Sequence, residues 1–354
     1  MTGQQSTETA ASPPARGLHR LVVLALCLVW PLIWVGGLVT TYDAGMAVPD
    51  WPGTYGYNLF LYPYKTWLLG PFDLFIEHGH RLLGAVVGIV AIAIVVVAYL
   101  RDPRRWVFFL SLGLLAAVIF QGCLGGMRVV LGDRTLAMVH GCVGPAFFAL
   151  CAVTAVVTSR MWWREPSEED AKARPIGYPL VGLIASLLAI SYVQLVLGAQ
   201  IRHVQPTTPP SQFTMTVAQH VMTALLLWVL SLLASWRLWR CGDLTLSRPG
   251  LVLVGLVTLQ TVLGVATWVV NYGWPGFVGQ VPSSSGYLIQ AKGFVDSIIV
   301  TAHVAVGSLI LAVSTMLVAR ILRVRGRRRQ AQGVHDDVLA TSNESLSPSA
   351  ALSH

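Results

Sequence analysis

The chain has 354 residues, of which 55% are hydrophobic and only 11% are charged. Soluble domains carry about 25% charged residues, and a single soluble core stops growing near about 250–300 residues. The composition therefore excludes an ordinary soluble protein and favours an integral membrane protein. Anionic lipid headgroups explain the net charge of +8 better than nucleic acid does.

Eight apolar segments are each long enough to cross a bilayer as a helix, which takes about 20 residues. A helix is required because the bilayer offers no water to satisfy an open backbone. In chain order the segments are residues 21–41, 78–100, 106–131, 136–158, 178–201, 213–238, 251–272 and 294–321. We therefore predict an all-α integral membrane protein with eight transmembrane helices.

The connections between these segments differ in charge. The connections and tails on the side of both termini hold 18 of the 24 Lys and Arg residues, including the six arginines from position 320 to position 329. By the positive-inside rule this side is cytoplasmic, so both termini are expected inside the cell. The N-terminal tail has too few arginines for an organelle transit peptide, which favours a bacterial inner membrane.

An internal repeat divides the membrane portion into two halves. The pattern Gln-x-x-Leu-Gly occurs at residues 121–125, 194–198 and 260–264, in the outer half of the third, fifth and seventh segments. The first segment has Gly36 and Gly37 at the corresponding depth, without the Gln. The repeat predicts two tandem, pseudo-symmetric four-helix bundles.

The predicted organisation has five regions. They are a cytoplasmic tail (1–19), a first four-helix half (20–159), a cytoplasmic linker (160–176), a second four-helix half (177–323) and a basic, then polar, cytoplasmic tail (324–354). The tail segments 1–17 and 330–354 are rich in polar and small residues, so we expect both to be unstructured.

Every even-numbered segment carries a histidine near its outer end and a small residue four positions later. The histidines are His80, His140, His220 and His303, and the small residues are Gly84, Gly144, Ala224 and Gly307. Positions i and i+4 share a helix face, so the small residue gives room for a flat macrocycle whose iron the imidazole can bind. A lone histidine is more often a polar bridge, and small residues also promote helix packing. The fourfold repetition favours haem, with one bis-imidazole haem in each half.

Four charged residues near the outer helix ends are further candidates. Glu77 lies three residues before His80, where a carboxylate could move a proton or orient water; a carboxylate favoured by the helix dipole fits equally well. Arg81, Arg128 and Arg202 could bind haem propionates, or reach lipid headgroups instead.

The first outer connection, residues 42–76, is dense in Gly, Pro and aromatic residues. That composition predicts a shaped loop that could cap a haem pocket. His78 lies on the opposite helix face from His80, and His203 falls outside the small-residue pattern. We interpret both as supporting or surface residues.

These residues resemble the haem A synthase family. The resemblance is carried by the loop string AGMAVPDWPGTYG, the helix start EHGHR at 77–81, the string LGAQIRH ending at His203, and the four spaced histidines. It covers residues ~20–325 and excludes the tails. Some members carry a cysteine pair in the first outer loop. This chain has no cysteine there and so resembles the subset that lacks the pair.

The resemblance implies an activity and a set of partners. It implies oxidation of a ring methyl of haem O to a formyl group, through a hydroxylated intermediate, giving haem A for terminal oxidases. His80 and His140 would hold the substrate haem beside a catalytic Glu77, while His220 and His303 would hold a resident haem b that passes electrons. The implied partners are a haem O synthase, an electron-transfer partner (a quinone or a ferredoxin-like protein), terminal oxidase assembly and membrane lipid. Self-association stays open, and no nucleic acid is expected.

Two rival functions use the same residues differently. A bis-haem membrane cytochrome b that carries electrons from quinol would need all four histidines but would have no use for Glu77. A transporter would call for broken helices and charges at mid-membrane, whereas these segments are almost free of charge there.

Overall fold

A computed structural model describes residues 16–273 and 293–345. Eight of its helices are long and apolar enough to cross a membrane, which confirms the predicted all-α membrane class. They are α1 (Arg16–Thr41), α3 (Phe72–Arg101), α4 (Arg105–Leu131), α5 (Arg134–Thr158), α8 (Tyr178–Arg202), α9 (Pro210–Trp239), α10 (Leu244–Tyr272) and α11 (Phe294–Ser345). Three short helices lie in the connections: α2 (Tyr64–Leu68), α6 (Arg160–Trp163) and α7 (Glu168–Lys172).

The spanning helices form two rings of four. In the first ring α1 packs on α3, α3 on α4, α4 on α5, and α5 returns to α1. In the second, α8 packs on α9, α9 on α10, α10 on α11, and α11 returns to α8. The rings meet mainly where α11 lies against α5 and α1. These contacts support the division into two tandem bundles, which stays a prediction.

The core is apolar and extends across the boundary between the rings. One buried cluster combines Val29 of α1, Val87 of α3, Leu114 of α4 and Phe147 of α5 with Ala312 of α11. Lipid tails are as apolar as these side chains, so close packing rather than exclusion of water holds such helices together. The contact of α11 with the first ring therefore fixes the two halves against each other.

Short turns with defined chemistry link some of the helices. Gly132 ends α4 with φ 61°, a left-handed conformation that glycine adopts without strain. The Asp133 carboxylate then accepts hydrogen bonds from the backbone N–H groups of Thr135 and Leu136 and so caps α5. The chain reverses between α4 and α5 within a few residues, which brings the outer ends of these two helices together.

The structure differs from the predicted tails. Helix α1 already begins at Arg16, and α11 continues to Ser345, so the expectation of an unstructured segment is wrong for residues 330–345. Extending an existing helix adds one hydrogen bond per residue and avoids the cost of nucleation, which a judgement from composition overlooks. Residues 1–15, 274–292 and 346–354 lie outside the described residues, and with them most of the connection between α10 and α11.

Candidate functional site

The four histidines of the even-numbered spans meet in two pairs. His80 of α3 faces His140 of α5, with 6.3 Å between ring centres and 82° between ring planes. His220 of α9 faces His303 of α11, again at 6.3 Å, with 69° between the planes. In each ring of four, the two helices that carry a pair stand diagonally opposite. We call the end of the molecule that holds these histidines the histidine end, and the opposite end the arginine end.

Each imidazole rests against a glycine of a neighbouring helix. A Cβ atom built on Gly36, Gly125, Gly198 or Gly264 would lie 2.7, 3.2, 3.1 and 3.1 Å, respectively, from Cε1 of the paired histidine. Three of these glycines end the Gln-x-x-Leu-Gly repeats, and Gly36 takes the same place in α1. The repeat thus supplies the surface on which each ring lies. Sequence reasoning found the repeat but missed this contact.

Two of the small residues after the histidines, Gly144 and Gly307, make room for a side chain rather than leaving open space. A Cβ on Gly144 would lie 2.9 Å from the Gln121 amide nitrogen, and one on Gly307 would lie 3.2 Å from that of Gln260. At these two positions the space is filled by the glutamine of the repeat. At Gly84 no atom lies within 4 Å of such a Cβ, so room remains there.

Both pairs fit the axial ligation of haem iron. Two imidazoles that bind one metal ion from opposite sides, through bonds of about 2 Å, place their ring centres about 6 Å apart. The Nδ1 atom of all four rings is buried without a direct hydrogen bond. Each ring lies beside a backbone carbonyl of the neighbouring helix, at Leu32, Gln121, Gln194 and Gln260. Two such imidazoles at this spacing would suit an iron whose other ligands come from a macrocycle.

Glu77 and Arg81 fasten the first outer connection onto α3. The Arg81 guanidinium donates to the carbonyl oxygens of Val48 at 2.8 Å, Asp50 at 2.6 Å and Gly53 at 2.9 Å. It also donates to Glu77 Oε1 at 2.7 Å, and the other oxygen of Glu77 accepts from the Val48 N–H at 2.9 Å. Glu77 is 3% exposed. Four of the five guanidinium N–H groups are thus used within the protein, which leaves no fork for a propionate.

His78 of α3 also binds the first outer connection. Its side chain is buried, its Nδ1 lies 3.0 Å from Thr54 Oγ1, and its ring packs against Tyr62 and Trp67. Of the two interpretations offered for His78, the structure therefore agrees with the supporting one. Nothing in its sequence spacing distinguished the two, because the partners come from a loop.

The tip of the connection folds over α4. The Trp51 ring lies against Gly126, where a Cβ atom would come within 2.3 Å of it. Asp50 accepts hydrogen bonds from the backbone N–H groups of Tyr55 and Gly56 at 2.7 and 2.9 Å. Although partial burial raises the pKa of Asp50, these N–H groups and nearby Arg81 hold it below its usual value. The loop is therefore a shaped cap at the histidine end, as its composition predicted.

Arg128 and Arg202 join separate parts of this end. Arg128 donates to the Gly45 carbonyl oxygen at 3.3 Å. Arg202, at the end of α8, crosses to the first ring and donates to Gly37 O at 2.7 Å and Thr41 Oγ1 at 2.6 Å. Its second terminal nitrogen is buried without a hydrogen-bond partner. Arg202 thus ties the two rings together and keeps one donor for another group.

His203 lies next to Arg202, in a small polar cavity between the two rings. The cavity, about 180 Å³, is lined by residues that include Met138, Gln200 and Gln212. Burial, followed by the nearby charges of Arg202 and Arg128, lowers the pKa of His203 to about 4. The ring is therefore neutral at pH 7, and it belongs to neither histidine pair.

The fold and the site together define an eight-helix membrane protein with two paired-histidine sites suited to haem. A family model described as COX15-CtaA, cytochrome oxidase assembly protein, matches residues 19–217. This is more than half of the chain, and the chain belongs to that family. The match includes His80 and His140 but ends before His220 and His303.

Two curated relatives carry the name heme A synthase. The protein from Shouchella clausii is 27% identical over 208 residues, which is 58% of this chain and 66% of the relative. The protein from Symbiobacterium thermophilum is 27% identical over 198 residues, which is 53% of this chain and 58% of the relative. The chain thus spans somewhat less than two thirds of the length of either relative.

Proposed function

We propose that this protein is a haem A synthase, which oxidises a ring methyl of haem O to a formyl group through a hydroxylated intermediate. The observation that carries the proposal is the His80–His140 pair, whose ring centres lie 6.3 Å apart beneath the loop that Glu77 and Arg81 fasten. Membership of a cytochrome oxidase assembly family supports it, as do two relatives named heme A synthase. The product would be delivered to terminal oxidase assembly.

His80 and His140 hold the substrate haem in this proposal. Gly36 and Gly125 lie directly against their rings, so the imidazoles can shift little. Iron in a bound haem supplies the redox chemistry, and the residues supply position. The cap formed by residues 42–71 limits the access of water to the reacting methyl group.

Glu77 is the residue we assign to proton handling at this site. When the electrons of the methyl group pass to the electron-transfer partner, the hydrogens leave as protons, and a buried carboxylate three residues before His80 could receive one. Both oxygens of Glu77 are bound to Arg81 and to the Val48 N–H.

His220 and His303 hold a resident haem b in the second half and pass electrons to or from the first. Arg128 and Arg202 lie at the histidine end, and the unpaired N–H group of Arg202 is available to a propionate. For Arg81 we propose the loop instead, because its donors are already used there.

The location follows from the charge asymmetry. We assign the arginine end and both termini to the cytoplasm and the paired histidines to the outer half of a bacterial inner membrane. The partners that fit this location are a haem O synthase, a quinone or ferredoxin-like electron-transfer partner, and the terminal oxidase that receives haem A. The five-region organisation, with a substrate half and a haem b half, is retained in this proposal.

Chromatography of extracted haem tests the proposal. The protein is co-expressed with a haem O synthase, purified, and its haems are separated and counted. We expect haem A or its hydroxylated precursor alongside haem b. His80→Ala should abolish haem A and its precursor, and His303→Ala should remove haem b. Two haems b per chain, with supplied haem O left unchanged, would instead identify an electron-carrying cytochrome b.

A further inference from the structure

Helix α11 continues past the membrane at the arginine end and packs against the linker between the two halves. Arg323 donates to the Trp162 carbonyl oxygen, Arg328 to that of Arg174, and Gln332 to that of Ala173. The extension therefore holds most of the linker in place. It also concentrates positive charge where the bundle leaves the membrane.

Two acidic residues near this extension are already engaged. Asp170 lies 3.8 Å from Arg327, and Asp243 lies 3.4 Å from Arg328. In the part of the chain that the structure describes, no carboxylate forms an ion pair with Arg325 or Arg329. Neither guanidinium group has a carboxylate within ion-pair distance among these residues.

Arg325 is only 8% exposed, and its Nε and one terminal nitrogen are buried without a hydrogen-bond partner, as are two guanidinium nitrogens of Arg327. Unlike Arg327, Arg325 has no carboxylate within ion-pair distance among the described residues. A buried cation with unsatisfied N–H groups is costly unless an anion accepts from it. Its guanidinium carbon lies 3.6 Å from the centre of the Tyr178 ring, and that of Arg329 lies 5.5 Å from it.

Tyr178 is the first residue of α8, a 25-residue helix, so both arginines stack on a side chain at its amino end. The N-cap residue Gly177 has no side chain to accept a hydrogen bond and Pro179 has no N–H, so the N–H groups of Tyr178 and Leu180 are the ones left for an anion. Such a helix end attracts anions through its N–H groups and its dipole. Tyr178 itself is 69% exposed, so this helix end lies at the surface.

We propose that the amino end of α8, together with Arg325 and Arg329, binds a phosphate group. A phosphodiester or phosphate oxygen would accept from the free N–H groups of Arg325 and from the first turn of α8, which is the geometry guanidinium favours. With the arginine end in the cytoplasm, the site lies at headgroup level of the inner leaflet, where anionic lipid is present. The bound phosphate would stabilise the contact between the α11 extension and the linker, whether or not haem is bound.

Thermal unfolding of the full-length protein in a neutral detergent tests this site. We expect phosphatidylglycerol in large excess to raise Tm by about 3–6 °C, and phosphatidylcholine to leave it unchanged. Arg325→Gln should remove most of that shift. Arg240→Gln, an exposed arginine that stacks on Trp236 at the same end, serves as the matched control and should keep it.

The remaining outcomes are equally decisive. Should Arg325→Gln fail to fold, the exposed Arg329→Gln takes its place, and native mass spectrometry should show one fewer tightly bound phosphatidylglycerol. An equal Tm shift with millimolar inorganic phosphate would identify free phosphate rather than lipid as the source of the bound group. The proposal is overturned if both variants keep the full phosphatidylglycerol shift, or if phosphatidylcholine produces the same one.

Discussion

Arg81→Gln should release the cap over the first histidine pair. The substitution removes the charge that pairs with Glu77 and the hydrogen bonds to the carbonyl groups of Val48, Asp50 and Gly53. Glutamine is shorter and has only two N–H donors, so it cannot reach all of these acceptors. The helix itself should remain, because three of the four hydrogen bonds of Arg81 go to the loop and only the one to Glu77 lies within the helix.

The size of the effect follows from burial. Glu77 is 3% exposed, and removing one partner of a buried ion pair costs about 3–5 kcal/mol. Hydrogen bonds to charged groups contribute about 1.5–3 kcal/mol each, but water can replace some of those lost to the loop carbonyls. We therefore expect a local destabilisation of about 3–5 kcal/mol, which corresponds to a hundredfold to a few thousandfold more frequent opening of the loop.

Amide hydrogen exchange measured by mass spectrometry reports this opening directly. The N–H groups of Thr54 and Tyr57, which hydrogen-bond each other's carbonyl oxygens at 3.0 Å, should exchange correspondingly faster in the variant. Lys65→Gln removes the same charge from an exposed side chain of the same connection and should change little. Acceleration below tenfold in Arg81→Gln, or an equal acceleration in Lys65→Gln, would refute the assigned role of Arg81.

Three further outcomes are expected. Gly264→Val should displace the His303 ring and lower the haem content, measured as the pyridine haemochrome, from two per chain to one. The control is Gly255→Val on the same helix, which should keep both haems because no atom lies within 4 Å of a Cβ at that position. Because the pKa of Asp50 is depressed in the folded state, Asp50 stabilises the loop above about pH 4, and this stabilisation is lost as the pH falls below that value. The loop amides should then exchange faster, after correction for the intrinsic effect of pH on exchange, and Asp50→Asn should abolish this change. Thr41→Val leaves a buried guanidinium N–H without its acceptor and should lower the free energy of unfolding by about 1–3 kcal/mol, seen as a lower Tm.

Much of this protein could be predicted from the sequence because its signals are local. Hydropathy over about 20 residues identified the eight spans, since each helix must satisfy its own backbone in lipid. The spacing of His80, His140, His220 and His303 placed all four at one depth, because helix rise converts sequence position into height. The repeat also pointed to the glycines, although their contact with the imidazoles was missed.

The tertiary structure decided how these elements face each other. Three contacts could not be predicted from the sequence. Arg81 binds a loop, Arg202 crosses from the second ring to Thr41 of the first, and α11 extends onto the linker. Helices in lipid are apolar on the buried face and on the lipid face alike, so periodicity carries little information about helix rotation. Contacts between residues far apart in the chain depend on that rotation, and only the packed structure fixes it.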